Sequence, residues 1–328
     1  MLLNQLNILT TVSVLSLSLF SQLASASEGD QLEIFERCVD VCTNSVCVKQ
    51  SEDELFSRPS VLLQALFWTC EDNCDYQCQQ IITELREDSG EEVVQFHGKW
   101  PFRRILFTQE FFSTLFSMLN FIPHFINFQK LNKLYRSTHN SKKVLYFNVL
   151  LMSVVAMGAW TFSSIFHIRD LIITERLDYF FAGATVLSGF HAMVIRVFRF
   201  DLDEKKRKLT SYICLAMYAY HFIRLNIDWS YTYNMQANIA VAIAQYVLFI
   251  MLAYKHYKAN PKQRELYILP LALIASVVFG MSFEVFDFVQ LDWQVDAHAV
   301  WHLSTIVPSF WLYDFFYLDI DSLSKSRD

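Results

Sequence analysis

"SSIFHIRDLIITERLDYFFAG", residues Ser163–Gly183, joins two apolar runs, 144–166 before it and 178–198 after it. Each run exceeds the roughly 20 residues that an α-helix needs to cross a bilayer. The turn between them carries a hydroxyl (Ser163), an imidazole (His167) and a carboxylate (Asp178). Ionisable groups at membrane depth are costly and tend to be functional. Five further apolar segments, 105–128, 209–225, 237–254, 266–283 and 297–317, complete a set of seven. The expected fold is therefore an all-α membrane protein with a seven-transmembrane-helix bundle over residues 105–317 and a tail at 318–328.

Composition agrees. Of 328 residues 53% are hydrophobic and 16% aromatic, while only 18% are charged. A soluble domain carries about 25% charged residues. That excludes an ordinary soluble enzyme, and a net charge of −6 gives no reason to expect a nucleic-acid partner.

The N-terminus reads differently. Residues 1–26 form a short apolar core ending in Ala24-Ser25-Ala26, the small-x-small pattern of a cleaved signal peptide, although no Lys or Arg precedes the core. Six of the seven cysteines follow within a single acidic stretch: Cys38, Cys42, Cys47, Cys70, Cys74 and Cys78. An even set behind a secretory leader implies disulfides in an oxidising compartment, and six cysteines allow 15 pairings, none singled out by the sequence. A zinc cluster on "TCEDNCDYQC" is the competing reading, but the spacing matches no standard zinc pattern. Residues 27–104 are thus expected to form a luminal Cys-rich domain. Cys214, inside an apolar run, reads as a small buried residue.

Charge sets the expected orientation. The loop "QKLNKLYRSTHNSKK" carries five basic residues, "RVFRFDLDEKKRK" six and "KHYKANPKQRE" four. These alternate with connections poor in Lys, so the basic loops and the C-terminus are expected in the cytosol and the N-terminal domain in the lumen.

In that topology Ser163 and His167 close the second span, Asp178 opens the third, and "VDAHAVWHLSTI" places His298 and His302 at the start of the seventh. Residues four apart share a helix face. Three imidazoles with an open position describe a catalytic zinc site, in which the bound water's pKa falls to about 7. Asp178 could accept a proton from that water, and Ser163 could donate to a developing oxyanion. A Ser163–His167–Asp178 triad also fits the residue types but leaves His298 and His302 without a role. Glu284 and Asp287, at the end of the sixth span, and His221 in the fourth are candidates for hydrogen-bonding the ligand imidazoles. His191 lies too deep for this group and reads as a packing residue.

These residues carry a resemblance. "LFWTCEDNCDYQCQ", "QFHGKWPFRRILFTQEFFSTLFSMLNFIPH", "SSIFHIRDLIITERLDYFFAG", "DWSYTYNM", "MSFEVFDF" and "DAHAVWHLSTI" are similar to the Per1 / post-GPI-attachment-to-proteins factor 3 family, within the CREST superfamily of membrane hydrolases. Ser163, His167, Asp178, His298 and His302 match the superfamily pattern without a gap. The resemblance implies a phospholipase A2-like hydrolase that removes the sn-2 acyl chain from GPI-anchored proteins. It implies Zn2+ held by His167, His298 and His302, with GPI-anchored proteins and membrane lipids as partners. It also implies residence in the endoplasmic reticulum membrane for fungal members, or the Golgi for animal ones. Two alternatives stay open: a divalent-cation transporter serving manganese homeostasis, and a non-catalytic chaperone for GPI-anchored cargo.

Overall fold

The computed structural model describes residues 27–50, 55–139, 141–290 and 293–325. The expected signal peptide lies outside the described residues. The chain forms two compact units, one ending at Phe102 and the other spanning Arg103–Asp328.

In the first unit, α1 (Glu33–Cys42) and α3 (Cys70–Asp88) lie antiparallel, with a short α2 (Val61–Ala65) between them in sequence. Two disulfides join them, Cys38–Cys78 and Cys42–Cys74, and a third, Cys47–Cys70, ties the segment after α1 to the start of α3. Ascending numbers on one side meet descending numbers on the other, as antiparallel helices with i, i+4 cysteines require. The five-residue step from Cys42 to Cys47 would miss that face in an α-helix. A π-helical turn over Thr43–Val48 absorbs the extra residue. Thr69 and Asp72 form a reciprocal capping box that starts α3. All six thiols of this unit are committed to disulfides, so the zinc-cluster reading is set aside.

The second unit contains seven long helices: α4 (Phe111–Ser137), α5 (Lys142–Ile168), α6 (Ile172–Val197), α7 (Glu204–Ile227), α8 (Tyr231–Ala259), α9 (Glu265–Phe286) and α10 (Ala297–Lys325). Six of them pack in a closed circuit, α4–α5–α6–α8–α9–α10 and back to α4, while α7 leans on α6 from outside. Accordingly, α7 buries only Cys214, His221 and Leu225.

Four helices, α5, α6, α8 and α9, are long and apolar enough to cross a membrane. The expected seven spans are therefore supported for four. α4 misses on composition because its interior face is polar: Ser113, Ser117, Asn120, His124 and Asn127 are buried, while Leu115, Met118, Ile122, Phe125 and Ile126 are exposed. Two boundaries also differ from expectation. The first apolar segment becomes helical at Phe111 rather than residue 105, and α10 continues through the expected tail to Lys325.

The interior is graded along its length. At one end an apolar core gathers Leu131, Val149, Met193, Leu252, Phe315 and Phe316. Inside it, Arg196 makes two hydrogen bonds to Asp319, which is fully buried and also meets His256 Nε2 at 2.7 Å. At the other end the buried residues are Ser113, Ser117, Asn120, Ser163, His167 and His302.

Candidate metal centre

The polar end is built by three chain segments. α5 runs out to Ile168, where its last carbonyls lack helical partners. The stretch before α4 supplies them: Gln109 N–H donates to Ile168 O at 3.1 Å and Glu110 N–H to His167 O at 2.9 Å. This pairing sets the Glu110 carboxylate 2.7 Å from His167 Nδ1. A short two-stranded ribbon, Val289–Gln290 with Val295–Asp296, leads into α10. There the Asp296 carboxylate caps the helix by accepting from Ala299 N–H at 2.8 Å. The capped first turn carries His298, and His302 follows one turn later.

The result is a three-imidazole cluster. Ring centroids lie 5.2 Å apart for His167 and His298, 5.1 Å for His167 and His302, and 4.4 Å for His298 and His302. One ring nitrogen from each lies within 4.8 Å of the others. That bound takes in the separation of about 3.4 Å between tetrahedral ligands that each lie about 2.0–2.1 Å from one zinc ion.

Hydrogen bonding decides which nitrogens face the cluster. Against the buried Glu110 carboxylate, His167 Nδ1 must be the N–H donor, which leaves Nε2 as its lone-pair nitrogen. His302 Nδ1 lies 2.8 Å from Ser117 Oγ, and Ser117 Oγ donates to Ser113 O at 2.7 Å. Its single proton being spent, Ser117 accepts from His302 Nδ1–H, and again Nε2 is left. Both rings are thus held in the tautomer that a metal needs. This donor set fits a zinc-type ion: two buried imidazoles and a half-buried one, with outward nitrogens anchored by a carboxylate and a hydroxyl.

Ser163 joins through the same hydroxyl, its Oγ 3.1 Å from Ser117 Oγ. Trp160 packs edge-on against His302 at 5.3 Å and donates Nε1–H to His124 Nε2, whose Nδ1 meets Tyr313 Oη at 2.7 Å. Asn120 donates to the His302 carbonyl at 2.7 Å. The backbone and ring of His302 are therefore both fixed.

Of the residues singled out from sequence, His167, His298, His302 and Ser163 converge. Asp178 lies half-buried in the second turn of α6, at the same end of the bundle as His167. His221 packs on Tyr233, with its Nε2 close to Gly183, and no described contact joins it to the cluster. Asp287 is the exposed C-cap of α9, in left-handed backbone conformation. The Glu284 side chain lies outside the described residues. Two of the imidazoles are oriented by Glu110 and Ser117, which sequence reasoning missed. The signal for Ser117 was the polar stripe Ser113–Ser117–Asn120–His124–Asn127, which recurs at helical spacing inside an otherwise apolar segment.

The chain is 44% identical to Protein PER1 of Saccharomyces cerevisiae, over 93% of this chain and 96% of that one. It is 35% identical to the PER1 homolog of Schizosaccharomyces pombe, over 92% and 89%. It is 32% identical to the human GPI-specific phospholipase A2-like PGAP3, over 92% and 91%. No solved structure matches the chain. The Per1-like family model covers residues 60–320, spanning the disulfide-bonded α3, the histidine cluster and most of α10, and the chain belongs to that family.

Proposed function

We propose that this chain is a membrane ester hydrolase that removes the sn-2 acyl chain from GPI-anchored proteins at the luminal face of the endoplasmic reticulum. The observation that carries this reading is the buried group His167–His298–His302, with two of its rings locked by Glu110 and Ser117 so that Nε2 is presented. The printed name of the human relative, a GPI-specific phospholipase A2-like protein, supports the substrate class.

His167, His298 and His302 would hold a zinc ion, which when bound supplies Lewis acidity and a water acidic enough to lose its proton near neutral pH. The chain's own residues do the rest. Asp178 accepts the proton of the attacking water. The water oxygen bonds to the ester carbonyl carbon, and the bond from that carbon to the glycerol oxygen breaks. The glycerol oxygen takes up a proton, giving a free fatty acid and a lyso-anchor. Ser163 Oγ–H now donates toward Ser117 Oγ and can turn to the carbonyl oxygen as negative charge gathers there. Four helices meet the criterion for spanning a bilayer; the proposed topology adds α4, whose polar face is turned inward, together with α7 and α10.

The test is fatty-acid release from a GPI-anchored substrate by the purified full chain. His298→Ala should lower the rate by roughly a thousandfold, the equivalent of several kcal/mol of lost charge stabilisation. Release by His298→Ala at the rate of the unmodified chain would sink the assignment.

A further inference from the structure

A cavity lies at the opposite end of the bundle from the histidines. Because α7 leans on α6 and not on α5, a groove of about 720 Å3 opens between α5 and α7 over α6. Its lining is layered. At the rim stand Lys143, over the Tyr135 ring, and Arg207, with Lys208 paired to Glu204. Below them comes a polar band formed by Asn148 and the His191–Ser211 pair, whose Nε2 and Oγ are 2.9 Å apart. Deeper still the walls are Leu151, Val155, Ala184, Leu187 and Leu215.

Depth along the helices puts these layers in register. Asn148 is roughly 7.5 Å beyond Lys143 along α5, His191 roughly 9 Å before the end of α6, and Ser211 roughly 10 Å into α7, at about 1.5 Å per residue. Asn148 is 5% exposed, and its Nδ2 has no hydrogen-bond partner among the described residues. A buried amide without an acceptor costs about 1–3 kcal/mol, which points to an acceptor that comes from outside the chain.

We propose that this groove binds one anionic glycerophospholipid from the leaflet opposite the histidine site. Its phosphate would lie at Lys143 and Arg207, a glycerol ester carbonyl would accept from Asn148 Nδ2–H, and one acyl chain would run along Leu151, Val155 and Ala184. A phospholipid presents anion, ester and hydrocarbon in that order. A soluble anion would leave the apolar wall uncovered, and a detergent or sterol would leave the rim and the amide unmatched. The volume falls within the range of pockets that enclose a small ligand, about 300–1,000 Å3.

The test uses the full chain, purified in detergent and stripped of lipid, titrated with dioleoyl phosphatidylserine or dioleoyl phosphatidylcholine and followed by native mass spectrometry. One phosphatidylserine should bind per chain, more tightly than phosphatidylcholine. Asn148→Leu should weaken both by about tenfold, the worth of one or two hydrogen bonds. Lys143→Gln with Arg207→Gln should weaken binding of both lipids, which share the phosphate, and should abolish the preference for phosphatidylserine. Should Asn148→Leu fail to fold, Ala184→Phe, which fills the acyl channel, is to lower binding of both lipids. Undiminished binding in Ala184→Phe, or in a folded Asn148→Leu, overturns the proposal. Displacement of the lipid by water-soluble glycerophosphoserine at equal concentration would mark a plain anion site and overturn it equally.

Discussion

At the level of single residues, the candidate site depends on which nitrogen of each ring holds the proton. Glu110 fixes His167 and Ser117 fixes His302, each through Nδ1. Glu110→Gln keeps the size and an acceptor oxygen but gives up the charge, and Ser117→Ala frees the His302 ring to take either tautomer. Each should weaken zinc affinity by about 10–100-fold, the usual cost of removing a partner behind a ligand. Competition with a chelator measures this, independently of any activity. Zinc affinity unchanged in both variants would show that the tautomers are not set this way. His298 and His302, or Ser163 and His167, can be found in the sequence because both members of each pair lie on one helix, four residues apart. Glu110 is 57 residues from His167 and Ser117 is 185 from His302. Only the packing of α4 against α5 and α10 brings them together, and no local period encodes that.

Among elements, α4 explains why a hydropathy reading and the structure part company. A membrane helix at a polar site turns its amphipathic pattern inside out, with Ser117, Asn120 and His124 inward and Met118, Ile122 and Phe125 outward. An average over the window erases this, whereas periodicity preserves it. The start of α4 differs from expectation for a related reason: 105–110 is apolar enough to read as helix, yet its backbone turns at Ile105–Thr108 and then pairs with the end of α5. The expected tail opens on "LDID", polar enough to read as an exit from the bundle, whereas Asp319 is the fully buried partner of Arg196 on α6 and His256 on α8. Removing one partner of such a pair leaves an uncompensated buried charge, worth about 3–5 kcal/mol. Asp319→Ala should therefore destabilise the bundle by about that much. The double change Arg196→Met with Asp319→Leu should cost clearly less, because both charges leave together. Thermal unfolding in detergent distinguishes them, and equal losses would mean that the charges do not act as a unit.

Over the whole molecule, each of the two units is stabilised internally by its own physics. The bundle buries a graded interior, while residues 27–102 rely on three disulfides and a small cluster around Phe35, Val46, Ile82 and Phe96. The disulfide framework was legible from cysteine count and leader; the pairing was not, because it required the π-helical turn that brings Cys47 into line. The smaller unit also has a titratable clasp. His97 Nε2 lies 2.9 Å from Asp75 Oδ2 on α3 and its Nδ1 3.3 Å from Asp30 Oδ1, with the His97 backbone N–H also donating to Asp30. Above all the hydrogen bond to Asp75 raises the His97 pKa above its ordinary 6.5, outweighing partial burial. A raised folded-state pKa means that protonation favours the folded form. The stabilisation is then complete below about pH 6.5 and fades as pH climbs through the folded-state value. Unfolding of this unit, followed by proteolysis of the full chain under oxidising conditions, should be slower near pH 6 than near pH 8. His97→Gln keeps a donor but cannot charge, so it should flatten that difference while leaving behaviour near pH 8 almost unchanged. The His97 ring is more than half exposed, so the effect should shrink as salt screens it. A pH dependence of the same size in His97→Gln would assign the titration to another group.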